Sequence, residues 1–255
     1  MSGQKEVVPD KKIQDVAQQA AQAESVPPHV RRYRAVIFQV VLVLIAITFG
    51  ILTFLVKTTP SFAVDLQITR SLQLVNAPSF ALLMSLISWP GFSPQAVIIA
   101  GLFILLIYAF GLHWEAVMAF IALVLSTAIN VLVKDLIQRP RPLPELVNVY
   151  ATLKDYSFPS GHVMYYLGFF GFIWFLAFTL LKPSLKRGFI LVIFGALVVL
   201  VGISRIYLGE HWASDVIGSY LLGTLSLVAT IQIYRWGKPR FFVSQPVAAA
   251  KNQKA

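Results

Sequence analysis

Long apolar runs set the terms on which this chain can fold. Residues 35–56, 94–111, 116–133, 163–181 and 188–203 each come close to the roughly 20 apolar residues that a helix needs to cross a bilayer core of about 30 Å. A sixth run, 214–234, is less uniformly apolar but carries no charge after Asp215. With 57% apolar and 13% charged residues, the composition argues against an ordinary soluble domain. In lipid a helix satisfies its own backbone, so the runs are read as helices. The expected fold is all-α, a six-transmembrane-helix bundle. Its expected organisation is a cytoplasmic, largely disordered segment 1–34, a six-span domain 35–235 and a cytoplasmic disordered tail 236–255.

A net charge of +10 would suit a nucleic-acid binder, but its distribution does not. Fourteen of the 21 Lys and Arg lie in residues 1–34, in the connector 182–187 and from Arg235 onward. These segments fall on one side of the membrane when the spans are counted as above. Lys and Arg beside span ends favour the cytoplasmic face. The reading is a multi-pass plasma (inner) membrane protein with both termini cytoplasmic and no nucleic-acid partner. The first apolar run lacks a small-residue cleavage site after it and is read as an anchor rather than a signal. Cysteine is absent, so neither a disulfide nor a thiolate metal site is available. The outer segment 57–93 holds Asp65 and Arg70, expected to form an exposed pair. Its apolar stretch 79–89 is too short to cross and is expected to lie at the interface.

Three polar segments sit where apolar runs begin or end, and the span count puts all of them on the outer face. Lys134 is followed seven residues later by Arg141-Pro142. That is about two helical turns, so both side chains share a face if the helix continues past Pro140. Arg139 would point away from that face, which favours Arg141. A lysine point charge beside an arginine fork suits a phosphate; a basic cluster anchoring a span is the plainer alternative. Pro159-Ser160-Gly161-His162 opens the fourth run, where unpaired helix-start N–H groups attract anions. Ser160 can donate its hydroxyl, Gly161 permits close backbone approach, and His162 stands where a general acid would. Ser204-Arg205 supplies a third cation. His211 and Asp215 are four apart, so on a helix the carboxylate can fix the imidazole tautomer and leave the other nitrogen free to attack phosphorus.

Lysine, six residues, Arg-Pro; Pro-Ser-Gly-His; and Ser-Arg, five residues, His, three residues, Asp: with these three signatures in order, the chain resembles the type 2 phosphatidic acid phosphatase superfamily of membrane lipid-phosphate phosphatases. The resemblance covers roughly residues 60–235. It implies His211 as nucleophile, Asp215 as its orienter and His162 as the acid that protonates the leaving alcohol. Lys134, Arg141, Ser160, Gly161 and Arg205 would hold the phosphoryl oxygens, with no metal or other cofactor required. The implied partner is a lipid phosphomonoester or diphosphate such as phosphatidic acid, phosphatidylglycerol phosphate or a polyprenyl diphosphate. A lipid phosphotransferase on the same site, or a non-catalytic lipid-binding or transport protein, remains open at this point. Tyr207, Glu210 and Trp212 flank the third signature as further candidates for substrate contact. Tyr165 and Tyr166 are candidates to line the pocket or face lipid. Tyr33, Trp114, Tyr234 and Trp236 read as interfacial anchors.

The topology makes a direct prediction. An epitope tag in the connector 182–187 is expected to be protected from impermeant reagents in intact cells, and labelling from outside would contradict the assignment.

Overall fold

The apolar runs fold as helices whose ends are set by local chemistry. A computed structural model describes residues 27–241, and every regular element among them is helical. α1 spans Pro28–Thr58, α2 Ala63–Gln73, α3 Pro78–Ser88 and α4 Gln95–Ala109. α5 spans His113–Ile137, α6 Gly161–Leu180, α7 Leu185–Tyr207 and α8 Ala213–Phe241. Two compact units are distinguished, residues 1–44 and 45–255. α1 runs through the boundary, and the packing that builds the site falls within the second unit. The helices extend past the expected limits: α1 already includes Arg31, Arg32 and Arg34, and α8 continues through Trp236. The rest of the expected disordered ends, 1–26 and 242–255, lies outside the described residues.

α1, α5, α6, α7 and α8 are each long and apolar enough to span a membrane. α3 and α4 form a bent pair, inclined at 62° to one another, which makes a sixth span if the two arms are counted as one. At 1.5 Å per residue the 15 residues of α4 reach only about 22 Å, so α4 falls short of crossing by itself. The stretch 79–89, expected at the interface, is α3, the first arm of this pair. Pro90 and Pro94 remove backbone donors between the arms and open the bend. The bend carries Ser88, Gly91 and Phe92 toward the polar end of the bundle.

α6 is the most enclosed helix. Tyr165, Tyr166, Phe169, Phe170 and Phe172 are buried in one aromatic cluster. Neither tyrosine is exposed to lipid, and Tyr165 also borders a cleft beside Gly161. Tyr166 donates to Ile87 O at 2.5 Å and Tyr165 to Ala96 O at 3.1 Å, so each fastens one arm of the bent pair. The helix widens into a π turn over Tyr166–Phe170, which places consecutive aromatic residues against α3, α4 and α5. Small residues bring the backbones together: a Cβ on Gly168 would lie 2.6 Å from the Ser126 side chain, so α5 and α6 meet there without a spacer.

The two ends of the bundle differ in kind. At one end Glu115 of α5 accepts from Tyr234 at 2.9 Å and pairs with Lys238 at 2.5 Å, both on α8. Tyr234 is therefore a buried strut rather than an interfacial anchor. At the other end lie the last turns of α5 and α7 and the first turns of α6 and α8, and these turns together with the connectors between them hold all three signatures.

Candidate active site

α5 stops at Ile137 because Gln138 turns left-handed at φ 56° and prolines follow at 140 and 142. Arg141 is thus off the helix, and the expected two-turn alignment with Lys134 is replaced by a shared partner. Lys134 Nζ lies 2.6 Å from Asp155 Oδ2 and also donates to Tyr156 O. Arg141 Nη2 lies 2.5 Å from Asp155 Oδ1, and its Nε donates to Asp155 O at 2.8 Å. One carboxylate spans both cations. Burial alone would raise the Asp155 carboxyl, but hydrogen bonds and charge from Lys134 and Arg141 hold it down at about 2.

The other end of the Arg141 fork reaches His211. Arg141 Nη1 donates to Glu210 O at 2.6 Å and approaches His211 Nε2 at 3.2 Å. A guanidinium has no acceptor, so Nε2 must accept and the ring proton must sit on Nδ1. Nδ1 faces Asp215 Oδ2 at 3.6 Å and Ser157 Oγ at 3.5 Å. Ser157 itself donates to Asp215 Oδ2, and the Trp212 backbone N–H donates to the same oxygen at 2.9 Å. His211 precedes α8 and does not lie on it, so its approach to Asp215 comes from the turn that caps this helix. Burial, followed by the charges of Arg141, Arg205 and Lys134, pushes the imidazole well below its ordinary range. That direction favours the neutral imidazole, whose Nε2 faces Arg141.

Ser160 caps α6 without using its hydroxyl on the helix, and its backbone N–H donates to Ser219 Oγ at 2.6 Å. Asn130, one turn before Lys134, donates to Pro159 O at 3.0 Å and lies against Gly161, fastening this turn to α5. His162 packs edge-on against Phe92 at 4.5 Å and touches Gly91, where a Cβ would overlap the ring. Arg205 lies over the Phe92 ring, 5.1 Å from its centroid. It pairs with Glu210 and donates to Ser88 Oγ at 2.5 Å. Ser160 Oγ, His162 Nε2 and Arg205 Nε are buried yet lack a protein partner. Buried polar groups without partners are costly, and here three stand in the signatures assigned to a phosphate.

All eight residues singled out from sequence lie at this end of the bundle. Lys134, Arg141, His211 and Asp215 form one connected array; His162 and Arg205 are joined through Phe92; Ser160 and Gly161 form the helix start. Glu210 pairs with Arg205, while Trp212 donates to Pro140 O at 3.2 Å and Tyr207 to Val75 O at 3.1 Å, so the flanking residues hold the loop together. Sequence reasoning passed over Ser157, Asp155, Ser88 and Phe92. It misplaced Arg139 and Asp65: both are buried and paired with each other at 2.9 Å, and Arg70 instead donates to Leu146 O at 3.1 Å. A charge within a few residues of a signature, as at Arg139 and Asp155, was the available signal. The partners 76 and 74 residues from Arg139 could not be read from spacing.

Comparison with known proteins agrees with the geometry. The model of the PAP2 superfamily matches residues 115–239. Phosphatidylglycerophosphatase B of Bacillus subtilis (strain 168) is 32% identical over 184 residues, covering 69% of this chain and 86% of that protein. Undecaprenyl-diphosphatase of Sulfolobus acidocaldarius is 42% identical over 83 residues, covering 32% of this chain and 36% of that protein. The crystal structure of a transmembrane PAP2-type phosphatidylglycerolphosphate phosphatase from Bacillus subtilis superposes with a TM-score of 0.67 at 26% identity, covering 76% of this chain and 96% of that one.

Asp155 engages two cations and cancels one of their two charges, which an inorganic anion would otherwise meet unpaired. Asp155→Asn is therefore expected to bind orthophosphate or vanadate more tightly than the parent chain, read as a larger rise in melting temperature at equal anion concentration. An equal or smaller rise would contradict this reading of the carboxylate.

Proposed function

Since this chain belongs to the PAP2 superfamily of membrane phosphatases, we propose that it hydrolyses a lipid phosphomonoester or diphosphate through a phosphohistidine on His211. The observation that carries the reading is the single anion, Asp155, held between Lys134 and Arg141 next to the unprotonated Nε2 of His211. A substrate phosphoryl group placed there meets the two cations and the nucleophile together.

The chemistry follows from the tautomer. Nε2 attacks phosphorus and the bond to the leaving oxygen breaks. The ring, still carrying its Nδ1 proton, becomes cationic, and Asp215 stabilises it. Lys134, Arg141, Arg205, the Ser160 hydroxyl and the Gly161 amide take the phosphoryl oxygens, whose charge is largest in the transition state. His162 gives its proton to the departing alkoxide, then accepts one from the water that attacks the phosphohistidine. Orthophosphate leaves and His211 returns to its neutral form. Three buried polar atoms that lack a protein partner among the described residues, on Ser160, His162 and Arg205, are groups to which this scheme gives a bound partner.

The tail has a place beside the chemistry. A cleft of about 210 Å³ lies next to Gly161, lined by Gly91, Ala96, Val97, Leu123, Asn130 and Tyr165. Its wall is largely apolar, and Gly91 on that wall lies against the His162 ring, which would face the leaving group. The concentration of basic residues in the 182–187 connector and near both ends of the chain supports placing this site on the outer face. The relative matched over most of its length is named for phosphatidylglycerophosphate, which makes that lipid the first substrate to test.

The test is phosphate release by the purified chain in detergent with a chelator present. It is run across phosphatidylglycerophosphate, phosphatidic acid and undecaprenyl diphosphate, beside His211→Ala. One lipid is expected to turn over, with kcat lost by at least about 10³-fold in the variant. Folded protein that releases phosphate from none of them would favour a phosphotransferase or a non-catalytic lipid binder.

A further inference from the structure

Resting on the reading above, we propose that Arg139 and Asp65 are positioning residues for the nucleophile. Arg139 clamps Asp215, Asp65 clamps Arg139, and the three together leave one net negative charge to face the His211 ring.

The cluster is closed and dry. Arg139, Asp65 and Asp215 are each no more than 1% exposed. Arg139 Nη1 lies 2.5 Å from Asp215 Oδ1 and 2.7 Å from Ser214 Oγ. Its Nη2 lies 2.9 Å from Asp65 Oδ2, and its Nε donates to Pro60 O at 2.9 Å. The guanidinium also stacks over Phe62, 5.4 Å from the ring centroid. Asp65 then turns to the start of α8: its Oδ1 accepts from the Ser214 backbone N–H at 2.8 Å, and its Oδ2 from the Ser214 hydroxyl at 2.5 Å. The outer helix α2, the connector after α5 and the first turn of α8 are thereby locked to one another, and Asp215 stands in that first turn.

The charge count explains why two carboxylates are present. Asp215 opposed by Arg139 alone would form a neutral ion pair, with little left to offset the cationic ring that forms when Nε2 bonds to phosphorus. Asp65 balances Arg139, so Asp215 keeps an effective charge for His211. The fork geometry is equally specific, because separate Arg139 nitrogens serve the two carboxylates. Asp215 Oδ1 is occupied by Arg139 while Oδ2 faces Ser157, Trp212 and the ring, which fixes the rotation of the carboxylate. Among the described residues no hydrogen bond or ion pair joins the Arg139 or Asp65 side chain to Lys134, Arg141, Arg205 or the start of α6, so phosphate binding is left to other groups.

The experiment measures kcat and KM for the full chain in detergent against the lipid it turns over, with folding checked by thermal melting. Asp65→Asn makes the cluster neutral and is expected to lower kcat about tenfold or more with KM little changed. The double variant Asp65→Asn/Arg139→Gln restores the single negative charge and is expected to be faster than Asp65→Asn alone. A purely structural clamp predicts the reverse order, since the double variant loses more contacts. Wild-type kcat in folded Asp65→Asn, or a double variant no faster than that single one, would overturn the inference. If Asp65→Asn fails to fold, Arg139→Lys decides: it keeps the charge but not the fork, so kcat is expected to fall at unchanged KM, and full kcat would overturn the proposal. A silent parent chain would refute the phosphatase reading itself, which is distinct from variants that match an active parent.

Discussion

Opposite charges packed against each other at one end of an apolar bundle are the constraint on which this structure depends. Arg139, Arg205, His211 and Asp215 have essentially no exposure. A buried ion without a partner costs several kcal/mol, so such a group persists only where its neighbours are arranged to compensate it. The compensation is layered. Asp65, Arg139 and Asp215 form a closed set beneath the imidazole; Asp155 bridges Lys134 and Arg141 above it; Glu210 answers Arg205 at the side. At this end of the bundle, Ser160 Oγ, His162 Nε2 and Arg205 Nε stay unanswered among the described residues.

The apolar packing serves this end of the molecule. α4 is too short to cross by itself, and the bend between α3 and α4 brings Ser88 and Phe92 to Arg205. Two tyrosine hydroxyls on α6 hold the two arms of the bend. Phe92 contacts both His162 and Arg205, so aromatic and polar groups meet at this ring. At the opposite end Glu115, Tyr234 and Lys238 tie α5 to α8. The helices that carry Lys134 and Asp215 are therefore held at both termini.

Much of this was legible in the sequence because it is local. Apolar runs report spans directly, since lipid forces the backbone into helices. The signatures report themselves because each lies at a span end. The pairing of distant charges is not local, and there the reading failed. Arg139 was set aside on helical geometry that does not apply, because Gln138 ends α5 one residue before it. Asp65 was matched to Arg70 five residues away, whereas its partner is 74 residues distant. Ser157 and Asp155 lie in a connector with no periodicity, so only the fold brings them against Asp215 and the two cations. His211 and Asp215 do meet, through a helix-capping turn rather than along a helix face.

The central claim is that the neutral Nε2 of His211 bonds to phosphorus. Rapid quenching of the chain during turnover of a lipid labelled in its phosphate tests it most directly. The account requires protein-bound label that survives alkali, is lost in mild acid and maps to His211. Label on another residue, or none at any time while phosphate is being released, would contradict it.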